Sequence, residues 1–145
     1  MKLSFECRLP CPVEALISGF DENLFRALSP PFPQVRILQF DGVKKGDKIN
    51  LELDFLLFKW KWSGSIIASG YTGNGFTFVD RGEILPPFLS GWEHHHILEA
   101  SGTGSIIRDE IEFRSGKGWP DWLVRLMIQA QMNPRKKKYR AYFKA

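Results

Sequence analysis

Only two cysteines occur in the 145 residues, Cys7 and Cys11, flanking Arg8-Leu9-Pro10. No second Cys or His pair stands at zinc-finger spacing from them, which argues against a structural zinc module. A chain of this length buries roughly 68–70% of its unfolded surface and holds together without a disulfide. The two thiols are therefore expected to be reduced and inert, in a cytoplasmic setting. No run of about 18 apolar residues occurs, and no apolar segment follows Met1-Lys2, so neither a membrane span nor a signal peptide is expected. The Gly-rich stretch Gly70-Tyr71-Thr72-Gly73-Asn74-Gly75 lies between two strand patterns rather than before a helix. That makes it a hairpin turn and not a phosphate-binding loop. No serine sits in a nucleophile elbow, and the only three histidines are adjacent, at positions 94–96.

What remains is an ordinary globular composition, 43% apolar and 25% charged, but unusually aromatic, with 12 Phe and 5 Trp. The length fits one domain over residues 1–145 with a single core. The net charge of +4 is carried by the end of the chain: Arg135, Lys136, Lys137, Lys138, Arg140 and Lys144 are all there. Such a cluster suits a solvated helix end, where cations meet the negative pole of the helix dipole. Weak contact with an anionic membrane surface is the alternative use of this tail. Nucleic acid is not expected, because no reading motif accompanies the charge.

Leu3, Phe5, Cys7 and Leu9 alternate with polar residues as a half-buried strand does. Pro12-Val13-Glu14 opens a short helix, and Asp21 is positioned to cap a second one carrying Leu24, Phe25 and Leu28. From residue 34 to 114 the period is two. Val35, Ile37 and Gln39 share one face; Trp60 and Trp62, then Phe76, Phe78 and Asp80 follow; Trp92, His94, His96 and Leu98 precede Ser105, Ile107, Asp109, Ile111 and Phe113. Short Gly-rich breaks between these runs predict a meandering antiparallel sheet. After Gly118 the spacing changes to three and four, with Trp119, Trp122, Leu123, Leu126, Met127 and Ala130 as the expected apolar stripe of a helix that Pro134 breaks or kinks.

This order of elements, with Phe78-Val79-Asp80, Pro87-Phe88, Trp92-Glu93-His94-His95-His96, Thr103 and Asp109, resembles the START-like helix-grip superfamily. That group includes lipid-transfer START domains, polyketide cyclases and pathogenesis-related allergens. The residue-level likeness is confined to about residues 76–113; members of the group often end in Arg-x-x-Tyr or a similar helical tail, and Arg135 to Phe143 looks comparable. The resemblance implies an α+β fold, with a curved six- to seven-stranded antiparallel sheet wrapped around a long C-terminal helix. It also implies two short helices between strands 1 and 2, and a cavity between sheet and helix. It further implies a lipid, polyketide or similar apolar ligand.

Within that frame the expected cavity residues are the aromatics Phe55, Trp60, Trp62, Phe78, Trp92 and Phe113, the polar His94, His96 and Asp109, and Leu123 and Met127 from the helix. His94 and His96 share a face and His95 opposes it. Two histidines at this spacing make a metal centre only with a third ligand and a supporting shell. Asp109 is the only evident third ligand, and two histidines at i, i+2 alone are weak evidence, so no metal or cofactor is expected. Asp109 shares its face with Ile107, Ile111 and Phe113, where a carboxylate needs a partner. A pairing with His94 or His96 would satisfy it, orient the polar end of a ligand, or supply acid–base chemistry. The leading expectation is a binder of a hydrophobic or amphipathic small molecule. The alternatives are a cyclase, dehydratase or hydrolase using a His–Asp pair, and a protein-interaction or stress-related module with a vestigial cavity.

Overall fold

Each run of alternating residues becomes a strand, and each change to helical spacing ends the sheet. The computed structural model describes residues 1–144. Its order is β1 (Lys2–Leu9), α1 (Val13–Gly19), α2 (Glu22–Leu28), β2 (Gln34–Phe40), β3 (Lys48–Asp54), β4 (Lys59–Thr72), β5 (Gly75–Ile84), β6 (Leu89–Ser101), β7 (Gly104–Ser115), α3 (Asp121–Met132) and α4 (Arg135–Tyr142). All strands join one antiparallel sheet in the order β1-β7-β6-β5-β4-β3-β2. Hairpins make every step from β2 to β7. β1 alone lies at the far edge, so α1 and α2 carry the chain from one edge of the sheet to the other. Asp21 caps α2 as expected, its Oδ1 accepting from the Leu24 amide at 3.0 Å.

Register shifts interrupt the ladders between Ile37 and Gln39, at Ser63/Gly64 and Ile66/Ala68, and at Leu89/Gly91. Bulges of this kind bend a sheet and add twist. The first of them corrects one expectation. Beyond Ile37 the phase of β2 reverses, so Phe40 turns inward and Gln39 outward, toward Asp41 and Asn50. A second correction concerns the Gly70–Gly75 stretch. β4 continues through it to Thr72, leaving only Gly73 and Asn74 as the turn.

The concave face of the sheet is closed by helices. α1 packs on β5, β6 and β7, α4 packs on β1 and α2, and α3 lies along β7. The stripe that α3 buries is Val124, Ile128 and Met132, not the expected one. Trp122 and Leu126 are 65% and 55% exposed. Asn133 and Pro134 separate α3 from α4 yet keep right-handed helical backbone angles. The phase of the stripe therefore survives the break: Val124, Ile128, Met132, Arg135, Tyr139 and Phe143 follow at intervals of four, four, three, four and four. All but Arg135 are fully buried, and Arg135 is half-buried.

Three apolar clusters result. The two larger ones join Cys7, Leu16, Leu24, Leu98, Ile107 and Tyr139, and Leu3, Phe88, Ile111, Phe113, Val124 and Ile128; a smaller third joins Ile66, Phe76 and Phe78. Each large side chain removed from water in this way contributes about 1.5–3 kcal/mol before entropic costs. Both cysteines are buried and free. On β7, Asp109 falls between Ile107 of one larger cluster and Ile111 of the other, so a polar belt crosses the interior between two apolar cores.

Candidate functional site

The belt starts from β6. Residues two apart on a strand share a face, which turns His94 and His96 inward, to 4% and 8% exposure. The flanking strands each offer this pair one carboxylate, Asp80 from β5 opposite His94 and Asp109 from β7 opposite His96. The hydrogen bonds run along the diagonals. His94 Nε2–H donates to Asp109 Oδ1 and His96 Nε2–H to Asp80 Oδ2, both at 2.8 Å. The two imidazoles stack with centroids 3.7 Å apart, and Phe78 covers the other face of His96 at 4.2 Å. Trp92 Nε1–H donates to Asp80 Oδ1 at 3.3 Å, and the Tyr139 hydroxyl of α4 donates to Asp109 Oδ2 at 3.2 Å.

These contacts assign the charges. Burial, reinforced by His96 beside it, holds His94 below the usual histidine pKa despite its bond to Asp109. His94 is thus neutral, and because Nε2 carries the proton, Nδ1 presents a lone pair. Burial also works against the His96 cation, but Asp109 and Asp80 outweigh it and raise the pKa. For both carboxyls, burial is overcome by the imidazole hydrogen bonds and the pKa lies below the ordinary range. Burial raises the Tyr139 phenol, which stays protonated, with Asp109 adding to the effect. Although burial disfavours the Arg135 charge, Tyr139, Asp109 and Asp80 keep its pKa above the usual value.

Between sheet and helices lies a cavity of about 250 Å³. Its walls are apolar, from Leu24 of α2 through Val35, Ile49, Leu51 and Leu53 of β2 and β3 to Met127 and Ile128 of α3. Asp80, His94, His96 and Arg135 gather at one end, and Asp21, Ser29 and Gln131 also line the cavity. Of the residues expected to line it, Phe55, Trp62, Phe78, Trp92, His94, His96 and Met127 do so; Trp60, Asp109, Phe113 and Leu123 do not. Trp60 packs against Phe58 and Phe88. Phe113 belongs to the core behind the cavity. Leu123 is half-buried on α3, one position before the buried Val124. Asp109 stands behind the two imidazoles, 2% exposed.

Sequence reasoning missed Asp80 as a partner of both histidines, although its parity with Phe76 and Phe78 places it on the inner face. It read Arg135 and Lys138 as parts of a solvated cationic tail. Arg135 instead faces the cavity, and Lys138 Nζ donates to the Ser29 and Leu28 carbonyls at 3.0 and 3.4 Å, closing the C-terminal end of α2. Lys136, Lys137 and Arg140 remain exposed.

No protein-family model and no curated protein sequence matches the chain. Solved structures do. A START superfamily protein from Mycobacterium smegmatis aligns with a TM-score of 0.70 at 10% identity, over 97% of this chain and 95% of its own. The fold is the START-like helix grip. The Zhui aromatase/cyclase from Streptomyces sp. R1128 aligns at 0.66 and 11% identity, over 95% of this chain and 90% of the other. Ara h 8.0201 aligns at 0.66 and 17% identity, over 98% and 96%. The helix grip is built here with its C-terminal helix in two pieces, α3 and α4, and among the described residues no helix is long and apolar enough to cross a membrane.

Proposed function

We propose that the protein binds a small, largely apolar molecule with a single polar end. The observation that carries this reading is the asymmetry of the cavity. Its walls are mostly Leu, Val, Ile, Phe and Trp side chains, whereas its end holds the charged Asp80, His96 and Arg135 and a bare imidazole nitrogen of His94. Ligand sites commonly combine an apolar lining with a few convergent polar groups. The volume of about 250 Å³ suits a bicyclic aromatic or a short acyl chain rather than an intact membrane lipid. A hydroxyl at the polar end would donate to His94 Nδ1 and accept from Arg135. The kinds of protein that share this fold, one of them named as an aromatase/cyclase, support the reading as analogy.

One feature favours a second reading. A neutral imidazole with its far nitrogen tied to a carboxylate is also the arrangement of a general base. Incubation with a panel of naphthols, short fatty acids and polyketide-like aromatics, followed by native mass spectrometry, separates the two. A retained, unchanged ligand supports binding, and a mass change supports catalysis. A protein that retains none of the panel contradicts both.

A further inference from the structure

We propose that Asp80, His94 and His96 form a divalent transition-metal site, coordinating through Asp80 Oδ2, His94 Nδ1 and His96 Nε2 with one position left open to the cavity. In the sequence, two histidines at i, i+2 are weak evidence for a metal, with Asp109 as the only evident third ligand. The fold supplies a different one and gives Asp109 another task.

Three observations carry the inference. First, single donor atoms of these residues all lie within 4.8 Å of one another. Asp80 Oδ2 is 2.8 Å from His96 Nε2 and 3.9 Å from His94 Nδ1. Two ligands each about 2.0–2.1 Å from a tetrahedral ion stand roughly 3.3 Å apart. The two separations bracket that value.

Second, Asp109 lies on the opposite side of both rings, where it accepts from His94 Nε2 at 2.8 Å and faces His96 Nδ1 at 3.4 Å. Its other oxygen is held by Tyr139. A carboxylate that fixes histidines through their remote nitrogens is the usual support of a metal-bound imidazole. His96 Nδ1, which makes no hydrogen bond of good geometry, gains a role here: it carries the proton toward Asp109 when Nε2 binds the ion.

Third, Asp80, His94 and His96 line the cavity and Asp109 does not, so the free coordination position opens where a ligand would lie. Two carboxylates against Arg135 leave one negative charge when both imidazoles are neutral. A divalent ion would meet that charge, and Arg135 beside it favours an anionic atom in the open position. Three N/O ligands with an open site are the set used by catalytic zinc and related ions.

The test uses full-length protein without a His tag, stripped with chelator and titrated with Zn²⁺ by calorimetry and with Co²⁺ by visible absorption. We expect one equivalent of either ion and the intense bands of four-coordinate Co²⁺. Asp80→Asn should abolish binding, and Asp109→Asn should weaken it by about 10–100-fold. His95→Ala, at an outward-facing position, should leave it unchanged. A flat wild-type titration overturns the proposal whatever the variants do. So does undiminished binding in Asp80→Asn that remains folded by circular dichroism. Binding of 1-naphthol to the metal-free protein reads the proposed ligand function separately, so either claim can fail alone.

Discussion

Asp109 lies directly across the β6–β7 ladder from His96, yet its short hydrogen bond goes to His94, one step along the diagonal. Asp80, across from His94 in the β5–β6 ladder, bonds to His96 in the same crossed manner. Each carboxylate thus holds the imidazole it does not face, and the pair of rings is locked between strands β5 and β7. Through Tyr139 the lock extends to α4, and it sits between two apolar clusters. Buried polar groups are stable only when satisfied together, so this belt ties the sheet to the helix at a defined register.

Removing one member should therefore cost more than an average hydrogen bond. Asp109→Asn leaves the His96 cation with one carboxylate and should destabilise the fold by about 2–4 kcal/mol. Tyr139→Phe removes one donor to Asp109 and should cost about 1–2 kcal/mol. Urea unfolding of the two variants checks the order: equal losses would mean that the carboxylate charge contributes nothing beyond a hydrogen bond.

In chelator-treated protein the two histidines should give opposite pH limbs. His96 is raised above its unfolded value of about 6.5, so its stabilisation is complete below that pH and fades as pH rises through the folded value. His94 is lowered, so the unfolded chain binds its proton first, and stability falls as pH drops below about 6.5. Asp80 and Asp109, both lowered, add a further loss on the acid side below about 3.9. Stability should peak near neutrality. His96→Gln should flatten the alkaline limb and His94→Gln the acid one, measured as melting temperature against pH.

Lys138 and Lys137 are neighbours with different surroundings. Lys138 caps the carbonyls of Leu28 and Ser29, whereas Lys137 is exposed. Lys138→Ala should cost about 1 kcal/mol and Lys137→Ala less than about 0.5 kcal/mol. Indistinguishable denaturation midpoints would contradict the docking of α4 on α2.

Met127 lines the cavity from α3. Met127→Trp should fill part of the space, keep the far-ultraviolet spectrum, and weaken 1-naphthol binding by at least about tenfold, a loss of about 1.4 kcal/mol. Unchanged affinity would place the ligand elsewhere.

Strand parity was the part of this architecture most legible in the residues. Trp92, His94, His96 and Leu98, and Ser105 through Phe113, share a face because an unbulged strand keeps a period of two. β2 escaped that reading after Ile37, since a bulge leaves no signature in residue type. On α3 the residues offer two apolar stripes side by side. Only packing against β7 decides that Val124 and Ile128 are buried while Trp122 and Leu126 face solvent. The site was half visible. His94, His96 and Asp109 stood out as polar residues on an apolar face, whereas Arg135 was hidden in a run of cations and Tyr139 in a tail beyond a proline. Their inward position follows from the phase that Asn133 and Pro134 preserve.

The central claim is a cavity that is apolar along its walls and polar at one end. Calorimetric titration of the wild-type protein with 1-naphthol and with naphthalene tests it most directly. The account predicts saturable binding of 1-naphthol at one site, with naphthalene at least about tenfold weaker because it leaves His94 Nδ1 and Arg135 unpaired. Equal affinities, or no binding of either compound, would contradict it.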